Sequence, residues 1–357
     1  MKKIQDLFIK LVKIDSPPGH EEKLADFVID RLKKLNLIVR KDKFGNILAR
    51  SRKFNKEDSI LISAHLDIVK SNKGIVPKTK NGVIYSDGKN ILGADNKAAI
   101  AEIIYALEKI KNKSYSNFEL LFTVQEENGL VGAKRLDKKL IKSKKALVLD
   151  YSFPVGFIAL KTASAVIIKI KIFGEASHGA RVDFGENTIN LASECISKFR
   201  PKSQKGLNYN VGLIKGGTAV NVVPDFVEIS LAVRADSEVK LNRFVKRIEN
   251  HFKKIVSKKG DLVSIEKTRV GFGYSYGKTD KFIKEMVEKF RETKVKVNFA
   301  ETLGLSDANV LNRFGIKTIE IGYGPKNVHT NKESITIDQM KKMSEFLINL
   351  LKVENLL

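Results

Sequence analysis

The side chains best able to do chemistry in this chain are two histidines and a set of carboxylates lying where short apolar runs end. The first group is Ser63-Ala64-His65-Leu66-Asp67, at the close of the run Ser59 to Ala64. Residues i and i+2 point the same way from a strand, so Asp67 could orient His65, as carboxylates do for metal-bound imidazoles. The second is Leu92-Gly93-Ala94-Asp95-Asn96-Lys97, immediately before a helical stretch from Lys97 to Lys111. The third is Thr123-Val124-Gln125-Glu126-Glu127-Asn128-Gly129, which leaves the run Phe118 to Val124. Adjacent carboxylates repel unless something positive sits nearby; one could hold a metal while its neighbour handles a proton. Asp150, in Val148-Leu149-Asp150-Tyr151-Ser152, leaves the run Ala146 to Leu149, and His329, in Asn327-Val328-His329-Thr330-Asn331, follows the run Lys317 to Ile321.

Each group alone also fits an ordinary role: a loop-capping pair for His65 and Asp67, a helix N-cap for Asp95, a solvated acidic turn for the two glutamates. The conjunction is more demanding. Functional groups of α/β sheets gather at the carboxyl ends of strands. Two histidines and three carboxylates suffice for two zinc-like ions with one bridging carboxylate. Ions about 3.5–4 Å apart can hold a hydroxide and polarise a carbonyl. Of the five histidines, His20 and His251 read as surface residues, and His178 is taken up below.

The elements that must position these groups follow from periodicity. Helices are expected at Ile4 to Val12 and Glu21 to Lys34, with the breakers Asp15-Ser16-Pro17-Pro18-Gly19 between them. Short runs rich in Ile, Leu, Val and Phe, at Asn46 to Ala49 and at the places already named, suit buried strands. Strands alternating with helices indicate an α/β sheet, mixed and largely parallel. The pattern changes near Lys161. A strand at Ala165 to Ile172, a helix at Thr188 to Phe199, and strands at Asn210 to Ile214 and Phe226 to Ala235 come next. A helix at Glu238 to Lys254 and a strand at Val263 to Lys267 complete a β-α-β-β-α-β order. That order predicts an inserted ferredoxin-like α+β domain, which divides the chain into 1–161, 162–270 and 271–357.

Composition bounds the function. The 357 residues exceed one ordinary domain, and 43% hydrophobic residues can build a real core. A net charge of +24 invites a nucleic-acid reading. The lysines are spread along the whole chain, however, and no nucleic-acid-binding motif appears, so no nucleic-acid partner is expected. No apolar stretch approaches the roughly 20 residues needed to span a bilayer, so no membrane partner is expected either. A single cysteine, Cys195, fits a reducing compartment, and a cytoplasmic location is the expectation.

The motifs together resemble the M20 metallopeptidase family, and within it the peptidase T-like (tripeptidase) branch, over nearly the whole length. The resemblance rests on His65-Leu66-Asp67, Gly93-Ala94-Asp95-Asn96-Lys97, Glu126-Glu127, Asp150, Ala176-Ser177-His178-Gly179-Ala180, Asn221-Val222-Val223-Pro224, Gly304-Leu305-Ser306-Asp307-Ala308-Asn309 and Asn327-Val328-His329-Thr330. It implies that His65 and Asp150 hold one metal, that Glu127 and His329 hold the other, and that Asp95 bridges them. It implies Glu126 as general base and Asp67 as support for His65. From the inserted lid domain, it implies His178 and Asn221 as donors to the carbonyl oxygen as it becomes an oxyanion. Arg234 resembles an arginine that grips a substrate carboxylate, and Asp307 is expected at the substrate. These three lid residues also fit bland roles, as a turn, a strand edge and a surface strand. The cofactor implied is two divalent ions, zinc by default with cobalt or manganese as substitutes. The partners implied are a short peptide and a second copy of the chain meeting through the lid. Asn96 stands where close relatives often carry Asp. The rival within the family is an N-acyl amino acid deacylase; Asp150, where deacylases usually carry Glu, favours the peptidase.

Overall fold

A computed structural model describes residues 2–52, 54–110, 117–199, 202–257 and 262–352. It divides the chain into two compact units: Met1–Leu160 with Ser275–Glu301 and Ser306–Leu357, and Lys161–Tyr274 with Thr302–Leu305.

The first unit is built on an eight-stranded sheet. Its spatial order is Ile38–Lys41, Ile47–Arg50, Phe118–Thr123, Ile60–His65, Lys145–Tyr151, Lys317–Gly322, Phe157–Lys161 and Asn298–Glu301. The four central strands run parallel, pairing Ile60 with Phe118 and with Lys145, and Lys145 with Lys317. Antiparallel neighbours flank them on both sides. Ile60–His65 and Phe118–Thr123 are buried at every position, as expected for strands covered on both faces. The mixed, largely parallel α/β sheet expected from the sequence is therefore what forms.

Helix Lys2–Val12 buries Ile4, Leu7, Phe8, Leu11 and Val12, a stripe at helical spacing. Helix Ala94–Ile110 is different: it is buried almost all round and is rich in alanine at Ala98, Ala99, Ala101 and Ala106. Those small side chains let it lie between its neighbours, the helices Lys2–Val12 and Ile337–Leu351. The expected last residue of this helix, Lys111, lies outside the described residues.

The second unit carries a five-stranded antiparallel sheet ordered Lys202–Gln204, Leu207–Gly216, Phe226–Ala235, Ser164–Phe173, Leu262–Gly271. The four long strands take the spatial order of a ferredoxin-like sandwich. Strand Ser164–Phe173 buries alternate residues, and Ile168, Ile170 and Ile172 meet Leu191 and Cys195 of helix Thr188–Ser197 and Leu241, Ile248 and Phe252 of helix Glu238–Ser257 in one core. Cys195 is a fully buried core residue. His251 is a correction to the sequence reading. It is half-buried, edge-on to Phe199 at 4.9 Å between ring centres, with Nε2 3.2 Å from the Cys195 carbonyl. It lies one position before Phe252, on the edge of the buried stripe of its amphipathic helix.

Candidate metal centre

Because the four central strands are parallel, their carboxyl ends open at one edge of the sheet, and the candidate ligands are delivered there. His65 is the last residue of its strand, Glu126 and Glu127 follow Phe118–Thr123, and Asp150 is the penultimate residue of Lys145–Tyr151. His329 lies in the loop after Lys317–Gly322, and Asp95 stands at the start of helix Ala94–Ile110. The structure brings all six together.

Asp95 is the centre of the arrangement. Its Oδ1 is 3.3 Å from His65 Nε2, and its Oδ2 is 3.1 Å from His329 Nε2. One carboxylate thus presents an oxygen to each histidine. His65 Nε2 also lies 3.4 Å from Asp150 Oδ1, and His329 Nε2 lies 2.8 Å from Glu127 Oε1. Two triads of potential donors result, His65–Glu126–Asp150 and His65–Asp95–Glu127, each with its donor atoms within 4.8 Å of one another.

The electrostatics fit the same picture. Burial is the largest influence on Asp150 and pushes its carboxyl up to about 7, against the pull of His65. Burial, with the Asp150 charge added, lifts Glu126 well above the ordinary glutamate range. Asp95 is also buried, yet hydrogen bonds from His329 and His65 outweigh burial and hold it below its usual range. Burial opposes charge on His65, but Asp150, Asp67 and Asp95 outweigh it and raise its pKa well above normal. Hydrogen bonds to Asp95 and Glu127 raise His329 to about 10. These opposed shifts mark a buried place where carboxylates crowd one another, which a cation's charge would relieve. Imidazole nitrogens and carboxylate oxygens in this number suit two divalent ions.

The chain around the ligands is arranged to hold them. His65 Nδ1 lies 2.9 Å from the main-chain carbonyl of Asp67, and 3.5 Å from its carboxylate. The Asp67 carboxylate instead accepts the amides of Glu126 and Glu127, each at 2.9 Å. The i, i+2 argument from the strand applies only in part, because the strand ends at His65 and Asp67 is beyond it. Asn96 donates to the Leu149 carbonyl at 2.7 Å and to Asp150 Oδ1 at 3.1 Å. An aspartate there would have no such proton to give. Lys97 is fully buried, donates to the Ile14 carbonyl at 2.6 Å, and is lowered by burial to about 7.

Two residues the sequence did not single out join the centre. The Tyr323 hydroxyl, fully buried, donates to Asp95 Oδ1 at 2.7 Å. Glu333 accepts the amides of Gly93 at 2.7 Å and Asp95 at 2.9 Å. Neither stands at a spacing that would have marked it.

Asp307 starts helix Asp307–Arg313, is 2% exposed, and accepts a hydrogen bond from Thr123 Oγ1, at the exit of a central strand. Burial pushes it up to about 6. In the second unit, His178 pairs with Val222 in a short two-stranded ladder, and the Gly179 amide donates to the Asn221 carbonyl at 2.7 Å, so these two residues are neighbours. His178 Nδ1 accepts from the Ala180 amide at 3.2 Å. A neutral ring then carries its proton on Nε2, free to donate. Arg234 is exposed on strand Phe226–Ala235, with Nη1 3.2 Å from the Leu303 carbonyl.

Comparison with known proteins gives a consistent set of likenesses. Residues 160–259 match the family described as peptidase dimerisation domain, and residues 74–166 match M42 glutamyl aminopeptidase. The chain is 29% identical to the uncharacterized protein YqjE of Bacillus subtilis, over 98% of both chains. It is 28% identical to peptidase T of Lysinibacillus sphaericus, over 76% of this chain and 68% of that one. Among solved structures it superposes on a tripeptidase from Staphylococcus aureus with a TM-score of 0.92, at 26% identity, covering 98% of this chain and 97% of the other.

Proposed function

Since the chain belongs to the M20 family of metallopeptidases, in its peptidase T-like branch, we propose that it releases the N-terminal residue of short peptides, using the cluster around Asp95. It is a metal-dependent peptidase, and the observation that carries the assignment of the site is the geometry of Asp95, with one oxygen toward His65 and the other toward His329. In this reading His65 and Asp150 would hold one ion, Glu127 and His329 would hold the second, and Asp95 would serve both. Two bound divalent ions would supply Lewis acidity toward the peptide carbonyl and activation of the attacking water. Zinc suits the histidine and carboxylate donors, with cobalt or manganese as functional substitutes.

The chain's own residues do the rest. Glu126 takes the proton of the attacking water and returns it to the leaving amine; its burial and raised pKa suit a group that must both accept and give up a proton. Asp67 fixes the main chain of both glutamates, so the base and the ligand beside it are held at fixed positions. His178 Nε2 and Asn221 donate to the carbonyl oxygen as it gains charge. Arg234 offers a guanidinium fork to the peptide carboxylate. Residues 160–259 would pair two copies of the chain, and the lone buried Cys195 fits a reducing, cytoplasmic setting. Among the described residues no helix is long and apolar enough to cross a membrane.

The test is a hydrolysis screen of di-, tri- and tetrapeptides beside N-acetyl amino acids, with metal content measured for the wild type, Glu126→Gln and Glu127→Gln. Free-amino peptides should be cut at the first bond faster than acetylated substrates. Glu126→Gln should keep both ions and lose about 10²–10⁴ in kcat. Glu127→Gln should lose affinity for an ion, because an amide is a poorer donor than a carboxylate. Equal or faster turnover of N-acetyl amino acids would make the enzyme a deacylase. A Glu126→Gln protein with both ions and near-normal kcat would remove Glu126 from the mechanism.

A further inference from the structure

Glu333 has no assigned role, yet few side chains in the molecule are placed at such evident cost. Its side chain is 1% exposed and sits in a loop of otherwise exposed residues, Asn331 and Lys332 before it. Burying a carboxylate is unfavourable unless hydrogen bonds replace its water. Here two main-chain amides do so, Gly93 to Oε2 at 2.7 Å and Asp95 to Oε1 at 2.9 Å. Both distances are those of charge-assisted bonds. The grip is two-pronged, so it fixes the orientation as well as the position of the segment that presents Asp95.

The other end of Glu333 is equally fixed. Its amide donates to the Thr330 carbonyl at 3.2 Å, and its carbonyl accepts from the Ser86 amide at 3.1 Å. It therefore closes the turn that directly follows His329, within the loop held shut by the Lys326–Ser334 bridge. His329 adopts φ of +65°, and Asn327 adopts +54°. Non-glycine residues hold that left-handed region only when their surroundings impose it. On the receiving side Gly93 has φ of +75°, and a Cβ there would come within 3.1 Å of Ile68 Cγ2. Two turns, one directly after His329 and one leading into Asp95, are thus joined by one carboxylate.

We propose that Glu333 is the positioning residue of the metal centre: it locks the Gly93–Asp95 turn to the His329 turn, so that both side chains reach the second ion already assembled. The inference rests on the two-ion reading of the site. A purely structural role predicts lost stability with unchanged metal affinity once the variant is folded. A positioning role predicts weaker metal binding in protein that is folded.

The experiment is calorimetric titration of zinc or cobalt into metal-free wild type, Glu333→Gln and Glu333→Asp, at a temperature far below each variant's melting point. Glutamine turns an amide N–H₂ toward one of the two main-chain donors and cannot accept both. Its affinity for the more weakly held ion should fall by about 10–100-fold, the usual effect of losing a residue that orients a metal ligand. Excess metal should restore much of kcat, which separates occupancy from chemistry. Aspartate keeps the charge but is one methylene too short for both amides, so it should fall between the two. If Glu333→Gln does not fold, Glu333→Asp decides on the same criterion, and if neither folds the positioning role is overturned. Wild-type protein that fails to bind two ions would sink the two-ion reading itself. Wild type binding two ions, with folded Glu333→Gln matching it, would sink only the role of Glu333.

Discussion

Substituting Asp67 by asparagine isolates how the two adjacent glutamates are held. The Asp67 side chain is fully buried and its two oxygens take one amide each, from Glu126 and Glu127, at 2.9 Å. Asparagine keeps one acceptor and turns an N–H₂ toward the other amide. One charge-assisted bond is lost, about 1.5–3 kcal/mol, and a buried donor is left facing a donor. Strain of about 2–3 kcal/mol at the main chain of the base and its neighbouring ligand corresponds to roughly 30–150-fold at about 1.4 kcal/mol per decade. His65 keeps its shorter Nδ1 contact, 2.9 Å to the main-chain carbonyl of residue 67, and loses only the charge of the carboxylate at 3.5 Å. The expected result is a fall of that size in kcat/KM at saturating metal, with the ion held through His65 and Asp150 retained. The assay is tripeptide hydrolysis alongside metal titration on protein whose folding is verified by its melting transition. Near-wild-type kcat/KM in folded Asp67→Asn would refute the argument that this carboxylate positions the glutamates.

Tyr323→Phe removes a fully buried hydroxyl from Asp95 Oδ1 at 2.7 Å. Metal affinity should fall by about 10–100-fold from loss of one bond to a charged group, and an unchanged binding isotherm would show that Asp95 is oriented without it. Acid should weaken metal binding, because Asp150 lies near 7 in the metal-free protein and must release its proton to become a ligand. The sign for stability is opposite. A folded pKa raised from 3.8 to about 7 contributes stability to the metal-free protein fully below about pH 4, and that contribution is lost as pH rises through 7. The gap in melting temperature between metal-loaded and metal-free protein should therefore widen from pH 5 to pH 8, and a constant gap would contradict it. Cys195, pushed up to about 12 mainly by burial, should resist thiol reagents in native protein and react once the chain unfolds; rapid native labelling would show that the second core opens.

The catalytic sheet was legible because its strands are short apolar runs with no competing periodicity, and because the groups at their exits are chemically conspicuous. His65, Glu126, Glu127, Asp150 and His329 each follow such a run, so their convergence could be argued from strand polarity alone. Four residues were read less well. Tyr323 comes directly after a buried strand and looks like one more core aromatic; only its hydroxyl contact with Asp95 distinguishes it. Glu333 lies in Asn331-Lys332-Glu333-Ser334, a string that reads as solvated loop, and its burial depends on a turn contributed by residues 93–95. For Asp67, alternation on a strand aims the carboxylate at His65, whereas it accepts the amides of Glu126 and Glu127, because the chain leaves the strand at His65. His251 carried a signal that was passed over: it stands three residues after Ile248 and seven after Phe244, on the edge of the buried stripe, and packs edge-on against Phe199.

The pairing of Lys145 with Lys317 along the fifth and sixth strands of the catalytic sheet has a consequence for how the enzyme is made. All of the second unit, Lys161–Tyr274, is synthesised between these two partners. During translation the ribosome has therefore delivered His65, Asp95, Glu126, Glu127 and Asp150, and a whole separate core, before Tyr323, His329 and Glu333 exist. Pairings that span so much sequence close late and slowly. The nascent chain spends that interval with an incomplete, strongly acidic half-site and an uncovered strand edge. Of the proposed metal ligands, His65, Asp95, Glu127 and Asp150 thus precede the second unit in the chain, and only His329 follows it.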